Sequence, residues 1–125
     1  MTYQKINLMH IFLIGPLLTY IGLKGKQTPK ILYGALVGLT LMIPFMVRTP
    51  RFKLNYRNSI SWVHWVFWSA LFLWVGYKQA SVPNFVFQII KYLGIIVILV
   101  HLYILYQYYY YNNSAVIPQT INSNL

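Results

Sequence analysis

FVFQIIKYLGIIVILVHLYILYQYYYY, residues Phe85 to Tyr111, carries one charge, Lys91, and no acid. A run this long and this apolar reads as a helix that crosses a bilayer. Three further apolar runs precede it, at about 6–23, 31–47 and 60–77. About 18 residues at ~1.5 Å each span roughly 26 Å, just enough for a hydrocarbon core of about 30 Å. The fourth run, 85–111, is longer, so it protrudes or tilts. The spacing predicts an all-α, four-helix transmembrane bundle over 1–111, followed by a polar tail, 112–125.

Composition agrees. The chain has 125 residues, ten Lys plus Arg, no Asp or Glu and no Cys, with 58 % hydrophobic and 8 % charged residues. A soluble chain carries about 25 % charged residues. The missing types also exclude chemistry. Without carboxylates there is no glycosidase pair, no two-metal phosphoryl-transfer site, no oxygen-rich calcium cage and no carboxylate proton relay. Without cysteine there is no disulfide, zinc-thiolate site or thiol nucleophile. No enzyme activity is indicated. Nothing resembles a potassium-filter loop.

The first run is not read as a cleaved signal peptide. Only Lys5 precedes it as a cation, and Lys24-Gly25-Lys26 follows it rather than a small-residue cleavage site. The connections are basic and punctuated by Gly and Pro. They contain Lys24, Lys26 and Lys30, then Arg48, Arg51, Lys53 and Arg57, then Lys78. Anionic headgroups are the natural partner for such charges. Lys24, Lys26, Lys30, Arg48, Arg51, Lys53 and Arg57 are therefore the candidate lipid-binding residues, with Phe52 and Tyr56 interleaved in the densest cluster. Nucleic acid is not expected, because no aromatic-basic binding face supports it. Counted by side, the charges are balanced, so the positive-inside rule discriminates little; the dense second loop favours cytosolic termini, or their equivalent.

The chain also matches itself. Shifted by 54 residues without a gap, His10 meets His64, Gly22 meets Gly76, Lys24 meets Lys78 and Pro29 meets Pro83. This predicts two similar hairpins, 6–47 and 60–101, related by a pseudo-two-fold along the membrane normal.

All three histidines, His10, His64 and His101, lie inside apolar runs. Packing or an interfacial position is the plainer reading. The alternative is a haem b or metal site. His10 and His64 would lie at similar depth, either could pair with His101, and Arg48 is on the same side. Trp62, Trp65 and Trp68 read as an aromatic belt, and Tyr108 to Tyr111 as an interface anchor. Pro16 and Pro44 predict kinks, and Gly34 with Gly38 a close-approach face. Asn112-Asn113-Ser114 fits the glycosylation sequon, a triplet common by chance in an Asn-rich tail.

The segments HIFLIGPLLTYIG, 10–22, and LGIIVILVHLYIL, 93–105, resemble small Asn-, Tyr- and Ile-rich membrane proteins of large DNA viruses of protists. The resemblance implies a virion inner membrane or an infected-cell membrane and transfers no catalytic residue. Organelle-encoded proteins of AT-rich genomes share this composition. The expected function is a small multi-pass membrane protein with a structural or interaction role, contacting anionic lipid and packing with copies of itself or other membrane proteins. No cofactor is expected. The alternatives are a histidine-ligated haem or metal protein for electron transfer or sensing, and a small channel or transporter.

Overall fold

The computed structural model describes the backbone of residues 3–122 and the side chains of residues 4–113. The described residues are helical with no strand, in four helices. The first, α1, joins Tyr3–Met9, a π-helical turn His10–Ile14 and Gly15–Lys24. The second, α2, is Lys30–Met46. The third, α3, joins Tyr56–Trp62, a π-helical turn Val63–Trp68 and Ser69–Lys78. The fourth, α4, is Asn84–Asn122 and continues past Tyr111, where the apolar run ends. The side chain of Ser114 in the sequon lies outside the described residues.

Three segments are long and apolar enough to cross a membrane: Gln4–Gln27, Tyr56–Ser81 and Asn84–Asn113. The run at 31–47, expected to cross as well, forms the 17-residue α2, which is shorter than these. At ~1.5 Å per residue it reaches about 26 Å.

The π turns have local causes. Pro16 has no N–H to donate, and its ring crowds the Phe12 carbonyl. The wider turn just before it relieves that clash, with the Gly15 N–H donating to the His10 carbonyl. Pro16 therefore ends a π turn instead of simply kinking α1. In α3 the residue at the matching place is Ala70, so proline is not the cause. There both the Ser69 N–H and its Oγ donate to the His64 carbonyl, the latter at 3.1 Å. Pro44 is tolerated in the last turn of α2, where the Val47 N–H closes on the Ile43 carbonyl at 2.8 Å.

The hairpin turns are built alike. Short 3-10 segments, Gly25–Gln27 and Gln79–Ser81, precede Pro29 and Pro83. Gly25 has φ 56° and Gln79 φ 53°. Glycine adopts this conformation freely, whereas a side chain strains it by the order of 1 kcal/mol. Gln79→Gly is therefore expected to stabilise the fold by about 1 kcal/mol, read as a higher unfolding midpoint in detergent; an unchanged or lower midpoint would refute the strain.

The chain forms two compact units. One is Met1–Leu23 with Gln88–Leu125, the other Lys24–Phe87. In the first, α1 packs on α4 with backbones in near contact. A Cβ on Gly94 would lie 2.6 Å from the Thr19 nitrogen and 2.8 Å from the Gly15 carbonyl oxygen. A Cβ on Gly22 would lie 2.5 Å from the Lys91 Cα. In the second unit α2 packs on α3, and a Cβ on Gly76 would meet Val37 and the Tyr33 carbonyl. Close packing of this kind needs small residues. Gly34 and Gly38, expected to be the close-approach face, have nothing within 4 Å of an added Cβ. Their spacing is right, but their face of α2 is not the one that packs.

Burial repeats at the same shift of 54. Leu18, Ile21, Gly22, Thr28, Tyr33, Leu36 and Ile43 are buried, and so are Phe72, Val75, Gly76, Val82, Phe87, Ile90 and Val97. Asn7 and Ser61 are buried polar residues at that shift too.

Candidate functional site

The connection between α2 and α3 is the most highly organised polar segment. Sequence reading starts the third helix at Ile60, its first apolar residue, but it begins at Tyr56 because Asn55 caps it. The Asn55 Oδ1 accepts from the Asn58 N–H at 2.8 Å. Asn58, 7 % exposed, donates its Nδ2 to the Lys53 carbonyl at 2.9 Å. Ser59 donates Oγ to the Asn55 carbonyl at 3.0 Å. Two indoles hold the segment that leads into this cap. Trp62 Nε1 donates to the Arg51 carbonyl at 3.2 Å, and Trp65 Nε1 to the Val47 carbonyl at 3.4 Å.

Trp62 and Trp65 thus hold the loop backbone, a role that their spacing as an aromatic belt does not disclose. Phe52 leans on Trp62 with ring centroids 5.6 Å apart. Its side chain is nevertheless 97 % exposed, and Leu54 is fully exposed. An ordered backbone therefore presents two large apolar side chains outward between cations. Arg48, Arg51, Lys53 and Arg57 are all exposed. An open groove of about 310 Å³ runs between Arg51, Phe52, Lys53, Leu54, Ser59 and Trp62. Leu54, Ser59 and Trp62 are additions to the residues the sequence marks, and the available signal was the Asn55-to-Asn58 cap spacing.

The other expected lipid-binding residues, Lys24, Lys26 and Lys30, are exposed around the first hairpin turn. Lys78 lies over the Tyr77 ring at 5.7 Å, and Lys91 over the Tyr92 ring at 4.8 Å.

The histidines share one local arrangement. Nδ1 of His10, His64 and His101 faces the carbonyl four residues back, on Ile6, Ile60 and Val97, at 2.7, 2.8 and 2.8 Å. A carbonyl only accepts, so Nδ1 carries the proton in the neutral ring. Each Nδ1 is thereby satisfied within its own helix. His10 stacks on His101 with centroids 4.2 Å apart and planes 4° apart. Of the pairings open to sequence reading, this is the one formed within the first unit. Lone pairs that lie in parallel ring planes do not converge on one ion between the rings. The separation leaves no gap for a macrocycle. No group of three or more His, Cys, Asp or Glu positioned for a metal occurs among the described residues.

No protein-family model matches the chain, and no curated protein or solved structure matches it either.

Proposed function

We propose that this chain is a multi-pass membrane protein with a structural or interaction role, whose basic connections hold anionic lipid headgroups. The observation that carries it is the uncovered apolar surface of the long helices. Only 33 %, 22 % and 28 % of the residues in their most apolar windows are buried. Phe12, Leu13, Val66, Leu73, Ile96 and Leu99 are among the large side chains that these helices leave exposed. Apolar surface on that scale in water would drive association, whereas lipid covers it without cost. Eight of the ten cations lie at helix ends or in connections, with no acid in the chain to pair them.

We read the two hairpins as copies of one ancestral hairpin. The shared π turn, the shared left-handed turn residue, the proline and the matched burial support this. So do two matched contacts: Gly22 abuts Lys91 and Gly76 abuts Val37, and both members of the second pair are 54 residues from members of the first. Biased composition alone gives no reason for side chains to repeat their burial in this register. On this reading α2 crosses the bilayer as α4 does, with its basic ends at the two interfaces.

The chain has no cysteine, so single cysteines report topology directly. Lys26→Cys and Lys53→Cys, in sealed vesicles, are expected to react with an impermeant maleimide from opposite sides. Reaction from the same side would show that α2 does not cross, and the four-span reading would fall. Lipid retained by the purified protein is expected to be enriched in anionic headgroups over the surrounding membrane.

A further inference from the structure

We propose that the groove between Arg51, Phe52, Lys53, Leu54, Ser59 and Trp62 binds the phosphate of an anionic phospholipid, while Phe52 and Leu54 insert beside it at the headgroup–acyl boundary. The proposal rests on the membrane reading above and assigns its lipid contact to one built site.

The groove, at about 310 Å³, is open, so it can lie against a headgroup but does not enclose one. Arg51 and Lys53 are among the residues that line it. A guanidinium forks onto phosphate oxygens, and an ammonium adds a point charge. No acid exists in the chain to neutralise either. The Trp62 N–H is engaged by the Arg51 carbonyl, and the Ser59 hydroxyl by the Asn55 carbonyl. These two residues therefore shape the groove, and Arg51 and Lys53 supply its charge.

The backbone is fixed before any ligand arrives. Bonds to the Val47, Arg51 and Lys53 carbonyls come from Trp65, Trp62 and Asn58. Preorganisation of this kind lowers the entropy lost on binding. It also means that the exposure of Phe52 and Leu54 is built in. Cations alternate with bulky apolar side chains along Arg51-Phe52-Lys53-Leu54. A soluble phosphate would satisfy the cations and leave both apolar side chains in water. A lipid satisfies all four, because its phosphate and its acyl chains lie side by side at the interface. The position fits, since the loop joins the ends of two helices and carries a tryptophan suited to that interface.

The test uses the full chain in nanodiscs of phosphatidylcholine, with or without phosphatidylglycerol. A nitroxide on Leu54→Cys reports depth, and the headgroups retained after detergent extraction report preference. With phosphatidylglycerol present the nitroxide is expected to be reached by oxygen and shielded from a water-soluble nickel chelate. The preference for phosphatidylglycerol is expected to fall about fivefold for each charge removed in Arg51→Gln and Lys53→Gln. Both side chains are exposed, and the Trp62 bond is to backbone, so the fold is retained. A nitroxide open to nickel in both discs overturns the insertion. A preference that survives the double variant overturns the groove as the site while leaving the broader lipid reading standing. No preference in the unaltered chain removes that broader reading. Displacement of phosphatidylglycerol by inorganic phosphate would make the groove a site for soluble anions and overturn the lipid assignment.

Discussion

Gly94→Leu is expected to separate α1 from α4 and abolish the cooperative unfolding of their unit. Even the alanine Cβ would sit 2.6 Å from the Thr19 nitrogen and 2.8 Å from the Gly15 carbonyl oxygen. Those are backbone atoms, which cannot rotate aside as a side chain can. Overpacking typically costs about 1–3 kcal/mol for an added methylene or so, and leucine adds far more volume than alanine. Gly94→Ala should therefore lower the unfolding midpoint measurably, and Gly94→Leu should remove the transition. The control is Gly34→Ala, where an added Cβ meets nothing within 4 Å. There helix propensity alone acts, and a gain of roughly 0.5–1 kcal/mol is expected. Thermal unfolding of the three variants in one detergent decides the matter. Equal effects at Gly94 and Gly34 would mean that the α1–α4 crossing is looser than described.

The second large effect is expected at Asn58. Its amide holds the Lys53 carbonyl, and its own N–H is held by Asn55. Asn58→Ala leaves the part-buried Lys53 carbonyl without that donor, a net loss of about 0.5–1.5 kcal/mol. The cost is local, because the loop can open while the helices remain packed. Trypsin cuts after Arg and Lys, so the readout is cleavage after Arg51 and Lys53. It is expected to accelerate on the order of tenfold, following a loss of roughly 1.4 kcal/mol in local opening. Cleavage after Lys24 and Lys26 should not change. Equal acceleration at both loops would indicate global destabilisation and not the release of one anchor.

Much of the fold is legible in the sequence because long apolar helices announce themselves by length and hydropathy. The runs beginning at Ile6, Ile31, Ile60 and Phe85 each become a helix. Their ends are less legible. Hydropathy places the start of the third helix at Ile60, although its first turn is polar and capped by Asn55. The π turns leave no mark in hydropathy, since they alter the backbone pairing without altering which residues are apolar. Gly34 and Gly38 have the better-known spacing, yet the tightest contacts fall on Gly15, Gly22, Gly76 and Gly94. Which glycine faces a neighbour depends on helix rotation, and a near-uniformly apolar surface does not encode rotation. The charges of the candidate site were legible. Its order was not, because that order comes from indole N–H groups reaching back to carbonyls up to 18 residues away.

The two π turns also carry information about time. A π turn holds one residue more than an α turn, so its simplest origin is a one-residue insertion into an existing helix. Under the proposed duplication, His10–Ile14 and Val63–Trp68 occupy corresponding places. Pro16 accompanies only the first of them. On that reading the insertion would predate the copying event, and the Pro16 and Ser69 contacts that now accommodate the wider turn would have been acquired separately in each half. Under the duplication, the widened turn would be an inheritance shared by both halves, held today by different neighbours in each.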